Sequence, residues 1–158
     1  MEFELKESDV EIYIRMPNGE IRKFNIEEEL KIERTRLNEH FMDQPGKYAW
    51  WGMIAENARD KMERAKAKVE QIEAEVDTRV RRELEMDGVK VTEALVNRKI
   101  KSHPAYLEAL EEYFEAKRRF GVLNTILKSF DHRKDALISL SANIRNEQDQ
   151  YLRLNKSE

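Results

Sequence analysis

Cysteine is absent from this 158-residue chain, which excludes disulfides and every thiolate metal site. Only three histidines occur, His40, His103 and His132; they fall on separate segments and make no HExxH or comparable metal spacing. The five glycines, at 19, 46, 52, 88 and 121, are scattered, so no phosphate-cradling loop is built. Long uncharged apolar runs are missing too, and none approaches the ~18 residues of a membrane span. The opening MEFELKESD is acidic and lacks the basic and apolar regions of a signal peptide. These absences lead to the expectation of a soluble, cytoplasmic protein that is not an enzyme and needs no cofactor or metal. Carboxylate pairs such as Glu111 and Glu112 do not alter this, because without a pocket adjacent carboxylates on a helix have no acid–base role.

Proline is scarce as well, and none interrupts the interior of two long stretches, Lys47–Met86 and Pro104–Leu154. Both carry apolar residues at alternating three- and four-residue spacing. The first seam reads Trp51, Ile54, Ala58, Met62, Ala65, Val69, Ile72, Val76, Val80, Leu84. In the second, Leu123, Phe130, Leu137, Ile144 and Tyr151 recur every seven residues, with Phe120, Ile126, Leu127 and Leu140 beside them. This is the period of an α-helix with one apolar face, held well beyond the ~10–14 residues of an ordinary globular helix. At ~1.5 Å per residue each helix would run roughly 60–75 Å. The predicted fold is mainly α, a long antiparallel helical hairpin of coiled-coil character. Its thin core leads to the expectation of partner chains. With 39% charged residues and a mean hydropathy of −0.82, the composition suits apolar stripes better than a thick globular core.

Ahead of the helices, Val10, Ile12 and Ile14 alternate with Glu11, Tyr13 and Arg15, the signature of a half-buried strand. Pro17-Asn18-Gly19 supplies a turn, and Phe24 and Ile26 lie on the return strand. Residues 1–26 are therefore expected as an N-terminal β-hairpin module, and residues 27–158 as the helical domain. Asn25 can cap a helix over Glu27–Met42, whose Glu27, Glu28 and Glu29 suit the positive end of the macrodipole. Asp43-Gln44-Pro45-Gly46 is expected to stop it. Asp87-Gly88 ends the first long helix, Thr92 opens a short one with Leu95, Val96 and Ile100, and Ser102-His103-Pro104 starts the second long one.

The net charge of −3 hides an asymmetry: −5 over residues 1–46, 0 over 47–91, +3 over 92–134 and −1 over 135–158. The positive excess gathers around Arg98, Lys99, Lys101, His103, Lys117, Arg118, Arg119, Lys128, Arg133 and Lys134. The ordinary reading of such charges, Asp131-His132-Arg133 included, is a solvated helix face. Trp50-Trp51 could stack bases, although Trp51 falls on the apolar seam and reads as core, which leaves Trp50 open.

Three stretches carry a resemblance. Lys47-Tyr48-Ala49-Trp50-Trp51 opens the charged helix DKMERAKAKVEQIEAEVDTRVRREL; the connector ALVNRKIKSHPAY follows; YFEAKRRFGVLNTILKSFDHRKDALISLSANIRNE closes the pattern. Over about residues 47–146 the chain resembles the UvsY-type recombination mediators of tailed phages. The resemblance implies a non-enzymatic, mostly helical protein that assembles into homo-oligomeric rings in the cytoplasm of a host bacterium and binds single-stranded DNA. It also implies two protein partners, a RecA-like recombinase and the single-strand-binding protein that the recombinase displaces.

Backbone recognition of single strands needs a groove of cations. Arg79, Arg81 and Arg82 lie before the Gly88 turn, and Arg98, Lys99 and Lys101 after it, so a chain that folds back there would bring them together as the DNA-binding set. Lys117, Arg118 and Arg119 form a second cluster, flanked by Phe114 and Phe120. The column Phe130, Leu137, Leu140, Ile144 and Tyr151 is the expected oligomerisation face. Two other readings stay open. A coiled-coil chaperone or adaptor of prefoldin-like build also joins a β-hairpin to paired helices, and a structural phage coiled coil needs only the seams.

Overall fold

The computed structural model describes residues 3–5 and 11–155, with side chains from residue 11 onward. Val10 of the expected first strand lies outside the described residues, as do residues 1, 2 and 6–9 of the expected N-terminal module. The chain is mainly helical. Strands β1 (Phe3–Leu5), β2 (Glu11–Arg15) and β3 (Ile21–Asn25) precede helices α1 (Ile26–Leu30), α2 (Leu37–Met86), α3 (Glu93–Lys101) and α4 (Pro104–Asn155). A short 3-10 turn, Arg34–Arg36, leads into α2. The long helices α2 and α4 pack antiparallel.

The chain divides into two compact units, whose bounds are Met1–Met53 with Asn124–Glu158, and Ile54–Leu123. The first unit holds the sheet, which has the order β1-β2-β3 with both pairs antiparallel. A third strand therefore joins the expected hairpin. In the β2–β3 turn, Gly19 N–H donates to Met16 O at 2.9 Å, and Gly19 sits at φ +84°, a conformation glycine adopts without a Cβ penalty. Pro17 holds the first central position and Asn18 Oδ1 accepts from Glu20 N at 3.0 Å, which together fix the register Ile12↔Phe24. Ile12 and Ile14 are buried, as their alternation predicts.

Phe24 is what ties this sheet to α2. Its ring lies 4.8 Å from that of Trp50 and 5.5 Å from that of Trp51, and Trp51 in turn stacks on Phe130 of α4 at 6.1 Å and 25°. Trp51 is core, and the half-buried Trp50 is engaged by the sheet.

The start of α2 departs from expectation. Asn25 does cap a helix, its side chain accepting from Glu28 N at 3.1 Å, but that helix ends at Leu30 instead of running to Met42. Asp43-Gln44-Pro45-Gly46, expected as a stop, lies inside α2. The physical reason is Arg133. Its buried guanidinium donates to the Leu30 carbonyl (3.2 Å), to the Lys31 carbonyl (3.4 Å) and to Gln44 Oε1. Gln44 Nε2 then donates to the Phe130 carbonyl at 2.7 Å. Carbonyls that would have continued α1 are thus taken by a side chain, and buried packing around Gln44 outweighs the helix bond that Pro45 cannot make to Phe41. Arg133, expected on a solvated face, is interior. Burial pushes its pKa below the ordinary guanidinium value, while the carboxylates of Asp43 and Glu29 pull the other way.

Candidate nucleic-acid interface

In the second unit α2 ends in a Schellman motif. Val89 N–H donates to Leu84 O at 2.9 Å, Gly88 N–H donates to Glu85 O at 3.1 Å, and Gly88 takes φ +67°. The chain then returns into α3, capped by Thr92, whose hydroxyl accepts from Leu95 N at 3.3 Å. Val96 and Ile100 of α3 pack with Val76, Val80 and Leu84 of α2 in one buried cluster, with Ile72, Val91, Leu95 and Tyr106 around it. His103 is half-buried and caps α4: its Nδ1 accepts from Ala105 N at 3.2 Å, with Pro104 as the first helical residue.

This packing decides where the expected DNA-binding residues go. With positions 76, 80 and 84 of α2 and 96 and 100 of α3 facing inward, Arg79, Arg82, Arg98, Lys99 and Lys101 are all exposed. None of these five has an acidic partner among the described residues. Lys90, outside the two expected clusters, is exposed in the same segment. Its signal was available, since residues 79–101 hold seven basic against four acidic residues. Arg98, Lys99 and Lys101 also lie in the last turn of α3, where the helix dipole favours cations. Arg81 stands apart from this set. Its guanidinium donates to Asp77 Oδ2 at 2.8 Å and forks onto Glu93 at 2.9 and 2.8 Å. The hydrogen bonds it donates to Glu93 and Asp77 push its pKa further above the ordinary guanidinium value, and Arg81 holds the Glu93 carboxyl below the usual range.

Among the described residues most other cations are matched by a nearby acidic group. Arg64 pairs with Asp60 at 2.7 Å, Lys68 with Glu112 at 2.6 Å and Lys47 with Glu29 at 2.8 Å. The second expected cluster is likewise engaged: Arg118 and Arg119 lie 3.4 and 3.8 Å from Glu115, and Lys117 sits 5.9 Å from the Tyr113 ring centre. Phe114, which flanks this cluster, is half exposed.

The expected oligomerisation column splits in two. Phe130 and Leu137 are fully buried within the chain's own first unit. Leu140 and Ile144 are half-buried, and Tyr151 is 65% exposed, followed by exposed Leu152 and Leu154. Residues 145–155 of α4 are exposed throughout, although Arg34 still pairs with Glu147. Among the described residues no helix is long and apolar enough to cross a membrane, and no group of three or more His, Asp or Glu residues is placed to hold a metal ion. No family model, curated protein or solved structure matches the chain.

Proposed function

We propose that this protein is a non-enzymatic recombination mediator. In this reading it binds single-stranded DNA through the basic end of the Ile54–Leu123 unit and assists a RecA-like recombinase in replacing a single-strand-binding protein. One observation carries the reading: among the described residues, Arg79, Arg82, Arg98, Lys99 and Lys101 are exposed and without acidic partners, while cations elsewhere are mostly paired. Unpaired cations on neighbouring helices supply the phosphate contacts of a sequence-independent binder.

The pI of 5.8 argues against a tight binder as a monomer. Repeating one modest patch around a homo-oligomer multiplies weak contacts along a strand and still allows the strand to be handed on. Tyr151, Leu152 and Leu154, with the half-buried Ile144, are the residues for that assembly. Phe130 and Leu137 are excluded from it, because their side chains are already used inside the chain. The test is recombinase loading onto oligonucleotides pre-coated with single-strand-binding protein, followed by the recombinase's DNA-dependent ATPase. A shortened lag in the presence of this protein is expected. An unchanged lag at every concentration overturns the mediator role.

A chaperone or adaptor reading gains support from Met86, 81% exposed, and Val89, 45% exposed, which place apolar surface beside the Gly88 turn. Suppression of aggregation of a denatured client protein, lost in Met86→Glu/Val89→Glu, would favour it.

A further inference from the structure

We infer that Arg81 is a positioning residue rather than a phosphate contact: it clamps the first turn of α3 to α2 and so holds Arg98, Lys99 and Lys101 in place. This rests on the nucleic-acid reading above. Three of the guanidinium's five N–H donors are committed, one to Asp77 on its own helix and two, as a fork, to Glu93 across the Gly88 turn. Glu93 is the first residue of α3, where a carboxylate also suits the helix dipole, so the same group is held from two sides.

The clamp matters because α3 has only nine residues. A helix of that length does not hold itself in water and takes its orientation from what it packs on. Val96 and Ile100 fix its middle and end against Val76, Val80 and Leu84. At its start, Glu93 and Ala94 are exposed, Leu95 is half-buried against the same cluster, and Val96 is the first fully buried residue. The Arg81–Glu93 fork adds a polar tie at the exposed start of the short helix, beside the apolar packing of Val96 and Ile100, and so helps fix where the basic side chains of its last turn point. A phosphate approaching Arg81 would meet two carboxylates already seated on its guanidinium.

Two charge-conserving variants separate a clamp from a contact. Arg81→Lys keeps the charge and loses the fork; Glu93→Asp keeps the charge and draws the carboxylate back by one methylene. Measure hydrogen–deuterium exchange across residues 93–101 in the free protein. Then measure affinity for a single-stranded oligonucleotide between low and moderate salt, well below the melting transition of each variant. For both variants we expect faster exchange confined to α3 and affinity lower by about two- to fivefold. The slope of log affinity against log salt should not change, because no phosphate contact is lost. The charge swap Arg81→Glu/Glu93→Arg should recover much of both losses.

Unchanged exchange in α3 would overturn the clamp. Faster exchange with undiminished affinity would overturn the positioning role. Affinity that tightens in Glu93→Asp, or a slope that falls by ~0.7 in Arg81→Gln, would make Arg81 a phosphate contact after all. Should the unmutated protein bind no single strand at low salt, the mediator reading and the positioning role fall together, while the exchange data still decide the clamp itself.

Discussion

Gln44 of α2 and Arg133 of α4 are both buried, and the arginine donates to the glutamine's side-chain oxygen while the glutamine donates onward to the Phe130 carbonyl. His40 closes the cluster, its Nε2 accepting from Glu33 N at 3.0 Å and its Nδ1 lying 3.0 Å from Arg133 Nη2. The connection between α1 and α2 is thus organised around one interior cation.

Arg133→Met is expected to destabilise the protein by about 2–4 kcal/mol, because it strands the Leu30 and Lys31 carbonyls and Gln44 Oε1 without a donor. Gln44→Leu should cost a comparable amount by leaving the guanidinium short of an acceptor. The double variant should cost less than the sum, since each single change strands the other partner. Urea unfolding followed by circular dichroism measures all three. Strictly additive losses would show that the two side chains do not act as a pair.

Pro45 sits in the ninth position of α2 and cannot donate to the Phe41 carbonyl. Pro45→Ala should therefore be stabilising by about 1–2 kcal/mol, the restored helix bond exceeding the added freedom of the unfolded chain. A loss of stability on the same denaturation curve would mean that the proline ring is needed for packing at this point.

Most of the helical architecture was legible in the sequence. Every residue of the seam from Trp51 to Leu84 is buried or half-buried, because a 3.6-residue period leaves little freedom in which face turns inward. The Gly88 stop and the Thr92 cap were also readable, since both depend on local backbone chemistry. The false stop at Pro45 was not. A proline-glycine pair reads as a breaker locally, and only Arg133, far along the chain, supplies the interior bonds that override it. The same distance hid the burial of Arg133 and made Arg81 look like its neighbours: Asp77 and Glu93 lie four and twelve residues away, and only folding back at Gly88 brings Glu93 within reach. The seven-residue column of α4 is visible in the sequence as apolar, but its cover is not, since the helix period does not say whether the same chain or a second copy fills each position.

Gly88→Ala tests the turn itself. At φ +67° an alanine is strained even though no atom lies within 4 Å of its Cβ, so a loss of about 1 kcal/mol is expected with no steric contribution. A neutral result would mean that the turn relaxes to another cap.

Tyr151→Glu/Leu154→Glu should lower the oligomeric state in sedimentation velocity without loss of helical circular dichroism, because both side chains are exposed in the protomer. Leu137→Asp should instead unfold the first unit, since Leu137 is wholly buried there. A single species at the protomer mass for the unmutated protein at micromolar concentration would contradict assembly through this end of α4.

The most direct test of the nucleic-acid interface is the salt dependence of single-strand binding, followed by fluorescence anisotropy, for the unmutated protein and for Arg98→Glu/Lys99→Glu. Each phosphate neutralised contributes ~0.7 to the slope of log affinity against log salt, so losing two contacts should flatten it by ~1.4 per bound subunit. Binding by the unmutated protein, weakened and flattened in the variant, is the expected result; affinity and slope identical in the two proteins would contradict the placement of DNA on this end of the Ile54–Leu123 unit.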